Sequence, residues 1–166
     1  GFSYQDSLGS EEVVNGDFAT DSDWNKNTSI TISGGSANFT GVAGTYLSQN
    51  CLTNGKRYYL TFDVSAYTSG FLTIFGGANN GVSSGTINSV GSYSFYFTAG
   101  GLDTKLYFGS VFAGSIDNVS VKEVLGQEVV PNSGCGSWLL EPQSTNLIPY
   151  SEDFSNASWI KTRSSI

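Results

Sequence analysis

The chain has 166 residues with 7 basic and 14 acidic side chains, a net charge of −7, no histidine and 14% aromatics. Scattered Lys and Arg on an acidic chain exclude a phosphate-gripping nucleic-acid surface, and the lack of histidine removes the usual neutral-pH general base and the commonest zinc ligand. No apolar run approaches the roughly 18 residues of a membrane span, and no basic, apolar leader opens the sequence. A start at Gly1 and the absence of Met read as a piece of something longer. Cys51 and Cys135 have no Cys-x-x-Cys spacing, which leaves inert thiols or one staple between them.

Residues 1–11 read as an N-terminal linker. Beyond them, alternation with period two predicts strands, clearest over Lys56 to Tyr67, where Tyr58, Leu60, Phe62, Val64 and Ala66 fall inward and Tyr59, Thr61 and Asp63 outward. The rhythm returns in Ser92 to Thr98, with Tyr93, Phe95 and Phe97 inward, and in Thr104 to Ser110, with Leu106 and Phe108 inward. Further strands are predicted at 28–33, 37–40, 45–49, 71–75 and 115–123, punctuated by Gly-Gly, Asn-Gly and Ser-Gly. Many short strands without crossover helices imply an all-β, antiparallel sandwich over residues 12–124.

Residues 125–142, with three Gly and two Pro, read as a surface connector. The sequence then restarts. Asp17-Phe18, Trp24, Lys26 and Ile30 are echoed by Asp153-Phe154, Trp159, Lys161 and Ile166, with twelve residues from Phe to Ile in both copies. Residues 143–166 are therefore expected to open a second sandwich module. Trp24 and Trp159 read as packing residues at a sandwich rim, and Trp138 as a plug that docks the connector.

The series Val14-Asn15-Gly16-Asp17-Phe18, Trp24, Tyr58-Tyr59-Leu60-Thr61-Phe62-Asp63-Val64 and Ile116-Asp117-Asn118-Val119-Ser120-Val121 resembles the jelly-roll carbohydrate-binding modules of the galactose-binding-like superfamily. The stretch Cys135-Gly136-Ser137-Trp138-Leu139-Leu140-Glu141-Pro142, followed by Tyr150-Ser151-Glu152-Asp153-Phe154 and Trp159, resembles a junction in bacteriophage tail-fibre and appendage proteins. The first resemblance implies a jelly roll and, in many such modules, a structural calcium. Asp117 matches the usual aspartate of the last strand, Asp17 is the other candidate ligand, and Ala19 stands where a further acidic ligand is common. The alternative is that Asp17 and Asp117 cap turns. The second resemblance implies a virion or extracellular setting, with copies associated as trimers or with other virion proteins.

A sugar platform needs exposed aromatic rings and a few polar groups to meet hydroxyls. Tyr59, Asp63, Phe71, Phe75, Tyr96 and Tyr107 are the candidates on outward strand positions, with the loop Gly76 to Ser84 and its Asn79-Asn80-Gly81 as a cleft edge or an ordinary turn. The same residues also suit a contact between copies or a second inward face, because period two does not say which face is buried when both are aromatic. Catalysis has little footing: Glu11-Glu12, Asp21 with Asp23, and Glu152-Asp153 sit in polar flanks, and no Gly-x-Ser-x-Gly elbow is present. The expectation is a non-enzymatic fibre or appendage module that contributes to host-glycan recognition. The alternatives are a carbohydrate-binding module from a secreted polysaccharide-degrading enzyme and a purely architectural subunit.

Overall fold

The computed structural model describes residues 2–82 and 86–131, and the compact unit Tyr4–Glu128 is the subject below. The expected connector beyond 131, the second-module opening, the junction motif, Trp138, Trp159 and Cys135 lie outside the described residues. Nine strands follow one another: β1 (Phe2–Glu11), β2 (Ile30–Ser33), β3 (Ser36–Thr40), β4 (Thr45–Asn50), β5 (Arg57–Ser69), β6 (Leu72–Gly76), β7 (Gly91–Thr98), β8 (Lys105–Ser110) and β9 (Ala113–Pro131). No helix occurs among the described residues.

The strands form a six-stranded sheet, in the order β2-β3-β9-β5-β7 with β1 also on β9, and a three-stranded sheet, β4-β8-β6. From β3 to β9 every connection carries the chain to the opposite sheet, so among the described residues β2 and β3 are the only consecutive strands that pair. Their turn is Gly34-Gly35, with φ of 64° and 73°, which suits a two-residue hairpin. This alternation between two antiparallel layers is a jelly-roll sandwich.

Alternation places Tyr58, Leu60, Phe62 and Val64 of β5 against Leu47, Leu72, Ile74, Leu106 and Phe108 of the small sheet, all buried. Burial of such side chains contributes about 1.5 to 3 kcal/mol each before entropy is counted. Ala66, expected inward, is exposed. The reason is a register shift between Val64 and Ala66 opposite β9, which rotates the end of β5 off the core phase. Tyr93 and Phe95 are half-buried and pack on the core from the edge strand β7.

Two boundaries differ from the sequence reading. Residues 2–11 are a strand rather than a linker, and β9 continues through Pro131 where a connector was expected to begin at 125. The two departures share a cause, since β1 is held on β9. Glu12 N donates to Val121 O at 2.9 Å, and the Glu11 carboxylate accepts the Val121 amide at 2.7 Å and the Ser120 hydroxyl at 2.5 Å.

The Val14-Asn15-Gly16-Asp17-Phe18 motif is a turn that locks onto β9. Asn15 has φ of 54°, and its amide group bonds Thr20 O at 2.7 Å, Ser22 O at 3.0 Å and Thr20 N at 3.2 Å. A Cβ at Gly16 would stand 2.0 Å from Val119 O, so only glycine fits there. Phe18 and Trp24 are buried with ring centroids 5.4 Å apart, and Trp24 Nε1 donates to Asn15 O at 3.0 Å, as expected of a rim packing residue. Gln49 ties this arm to β4, accepting Val14 N at 2.9 Å and donating to Val14 O at 2.8 Å and Asp23 O at 3.2 Å.

Candidate functional site

The expected aromatic platform is divided between the two sheets. Phe75 on β6 and Tyr107 on β8 point outward from the three-stranded sheet, whereas Tyr59 and Asp63 on β5 and Tyr96 on β7 point outward from the six-stranded sheet. Period two fixes which residues share a face of one strand but not which strands become neighbours. Phe71, just ahead of β6, is exposed and lies outside the cleft described next.

On the small sheet, Phe75 and Tyr107 are directly opposite one another, and Tyr46 of β4 is opposite Gly109 of β8. The glycine is buried beneath Tyr46: a Cβ there would come 2.5 Å from Tyr46 Cδ1. With no side chain in the way, the Tyr46 ring reaches over β8 to lie 6.0 Å from Tyr107 and 6.1 Å from Phe75, edge to face with both. These rings, with Ala78 and Asn79 of the β6–β7 loop, line an open cleft of about 180 Å³. The Asn79-Asn80-Gly81 loop therefore does edge a cleft. Asn79 takes φ of 66°, and the Asn80 amide braces the loop by donating to Gly76 O and Thr98 O, each at 2.9 Å.

Tyr46 carried no sequence signal beyond its outward phase, and the glycine opposite it became visible only with the β4–β8 register. Tyr107 is fixed by Asp103. Its hydroxyl donates a short hydrogen bond to Asp103 Oδ2, while Asp103 Oδ1 accepts Ala78 N at 3.0 Å and Lys105 N at 3.2 Å. This bond, with burial and the adjacent negative charge, pushes the Tyr107 phenol up to about 12. Partial burial pushes the Asp103 carboxyl up, but the Tyr107 hydroxyl, the two amides and the Lys105 charge outweigh it and hold it below the ordinary carboxylate value. One carboxylate thus fixes both a wall of the cleft and the loop at its rim.

On the opposite face Asp63 is a cross-strand clamp. Ser92 Oγ on β7 and Asn118 Nδ2 on β9 donate to its two oxygens at 2.6 and 2.9 Å, and these bonds lower its carboxyl. Both oxygens are engaged within the sheet. Tyr59 and Tyr96 form a close pair, with centroids 4.5 Å apart. Asp17 accepts the amide of Ala19 at 3.4 Å, whereas Asp117 lies inside β9 opposite Asp63 and accepts the amide of Asn118 at 2.6 Å. Among the described residues no three Asp, Glu, Cys or His side chains gather as a metal site. Cys51 has no disulfide partner among the described residues, and burial pushes its thiol up to about 12.

No protein-family model and no curated protein sequence matches the chain. Solved structures similar to it include the CBM22-1 xylan-binding domain of Xyn10C from Paenibacillus barcinonensis, with a TM-score of 0.46 and 8% identity over 72% of this chain and 96% of that one. A variant of CBM29-2, a family 29 carbohydrate-binding module, has a TM-score of 0.40 and 14% identity over 74% of this chain and 85% of the other. The ligand-free CBM1 of BiXyn10A has a TM-score of 0.37 and 17% identity over 78% of this chain and 96% of the other. All three are described as carbohydrate-binding modules or domains.

Proposed function

We propose that the protein is a non-enzymatic glycan-binding module whose site is the cleft of Tyr46, Phe75 and Tyr107 on the three-stranded sheet. The observation that carries the reading is the aromatic trio itself, kept open to solvent with Tyr46 38% exposed and braced from behind by Gly109 and Asp103. Aromatic walls stack on the C–H faces of a sugar, and the Asn79 amide at the rim meets hydroxyls. At about 180 Å³ the cleft is smaller than the roughly 300 Å³ of an enclosed ligand pocket, which suits a polymer lying across a surface.

Two features support a binding role over a catalytic one. Asp63 and Asp103 are both held below the ordinary carboxylate value, the opposite of what a general acid at neutral pH needs. The Cys51 thiol, at about 12, stays protonated and inert.

The test is affinity electrophoresis of the full chain in gels containing soluble neutral polysaccharides, including xylan and mixed-linkage glucans. Retardation of the parent by at least one polymer is expected, with about a tenfold loss of affinity in Tyr46→Ala and Tyr107→Ala. A parent that migrates unretarded in every gel, or variants retarded as strongly as the parent, would refute the reading. The virion or extracellular setting, trimeric association and host recognition rest on the Cys135 to Trp159 motif. The setting in a secreted polysaccharide-degrading enzyme makes the same demand on the cleft. Mass in solution separates the two, a trimer supporting the appendage and a monomer the enzyme accessory.

A further inference from the structure

The outer face of the six-stranded sheet carries a second constellation that the cleft leaves unused. The register places Tyr96 of β7, Tyr59 of β5 and Lys122 of β9 side by side in one row across the sheet. Arg57, two residues before Tyr59 and in the same outward phase, sets its guanidinium carbon 5.3 Å from the centre of the Tyr96 ring. Tyr96 remains 44% exposed. The next row holds Ser94 and Thr61, which offer hydroxyls. Asp6 of β1 stands at the Tyr96 hydroxyl and is the acidic neighbour of the group.

Charge makes this face unusual for its chain. Lys26 and Lys56 are committed to ion pairs with Asp21 and Glu123, while Arg57, Lys105 and Lys122 have no ion pair among the described residues. Two of those three cations flank the tyrosine pair, on a protein of net charge −7. An anionic ligand is repelled by the chain as a whole, so a site for one has to bring its own cations. Guanidinium beside an exposed ring offers a paired hydrogen-bond fork for a carboxylate or sulfate together with an apolar surface for the ring that bears it.

We propose that this face is a second saccharide site, selective for an acidic sugar, with its ring on the Tyr59–Tyr96 pair and its carboxylate or sulfate between Arg57 and Lys122. It lies on the opposite sheet from the cleft and does not rest on the cleft's ligand. A chain with both sites bridges two polysaccharide strands, one neutral and one acidic.

The experiment measures binding of the full chain to polygalacturonate, as the carboxylate source, and to dextran sulfate, as the sulfate source, at low and high salt. Binding to at least one polymer, weakened by salt, is expected, and the two polymers distinguish the anion. Arg57→Gln combined with Lys122→Gln should lower affinity by about tenfold or more. Tyr96→Ala should do likewise, Tyr96→Phe should retain binding, and Tyr107→Ala should leave it unchanged. Thermal melts of the variants confirm that each is folded. Failure to bind either acidic polymer overturns the proposal, as does binding that survives the double substitution or that is lost in Tyr107→Ala. An oligomer that Tyr96→Ala dissociates would make the face a contact between copies and overturn it too. If the cleft reading holds, neutral-polymer retardation persists in the parent and in the Arg57, Lys122 and Tyr96 variants and falls only in Tyr107→Ala, so the two sites fail separately.

Discussion

Gly109→Ala is the substitution that most directly couples the fold to the cleft. An alanine Cβ would stand 2.1 Å from Thr45 O, 2.5 Å from Tyr46 Cδ1 and 3.0 Å from Tyr46 Cα. The ring could swing away, but the carbonyl belongs to the start of β4, where Thr45 pairs with Ser110 and its hydroxyl donates to Val42 O at 2.8 Å. That carbonyl must retreat by about 1 Å, a backbone shift in the range where overpacking costs about 1 to 3 kcal/mol. For a domain of this size the cost lowers Tm by about 3 to 12 °C. At the same time Tyr46 leaves its place over β8, so the cleft loses one wall and neutral-glycan affinity falls by about tenfold. Differential scanning calorimetry and affinity electrophoresis on one preparation read both effects. A variant that melts with the parent, or that melts lower yet binds equally well, would show that Gly109 does not position Tyr46.

Tyr107 should ionise late, with its phenol near 12, and ultraviolet titration should find one tyrosine in that range that disappears in Tyr107→Phe. Because its folded value lies above the ordinary 10.0, its contribution to stability is complete below 10.0 and is lost as pH rises towards about 12, so Tyr107→Phe should flatten the alkaline fall in Tm. The carboxyls of Asp63 and Asp103 are lowered, so their contributions are complete above the ordinary 3.8 and disappear as pH falls through the lower folded values. Acid titration of Tm should therefore be less steep in Asp63→Asn than in the parent, and an identical slope would contradict the Ser92–Asp63–Asn118 clamp. Gln49→Leu removes three hydrogen bonds to the backbone of Val14 and Asp23, and a loss of about 1 to 3 kcal/mol is expected from the urea midpoint, with an unchanged midpoint as the contrary result.

The sandwich was legible because most strands contain aliphatic or aromatic residues at every second position and many end in glycine-bearing turns, as β5 and β6 illustrate. β1 was not, because Phe-Ser-Tyr-Gln-Asp-Ser-Leu-Gly-Ser-Glu shows only a polar-rich segment whose strand character comes from lying on β9. The end of β9 was hidden for the same reason: Leu125-Gly126-Gln127 reads as a loop until a neighbouring strand is known. The candidate site was half legible. Tyr107, Phe75 and the Asn79 loop were singled out by phase and composition, while Tyr46 and Gly109 acquire meaning only from pairing between strands some sixty residues apart. The clamp at Asp63 was not legible, because an outward carboxylate looks free until the serine and asparagine on its neighbours are placed.

Strand order also governs when this protein is able to fold. β9 lies between β5 and the β2–β3 hairpin, and it also carries β1, yet it follows all of them in the chain. During synthesis the large layer cannot close until residues 113–131 have left the ribosome, and β4 and β6 wait likewise for β8. A nascent chain stopped short of β9 displays Leu60, Phe62 and Val64 on a ribbon of β5 and β7 with one long unpaired edge, the kind of surface that recruits other chains. Prematurely terminated products are therefore expected to aggregate or to occupy chaperones rather than accumulate as partial sandwiches.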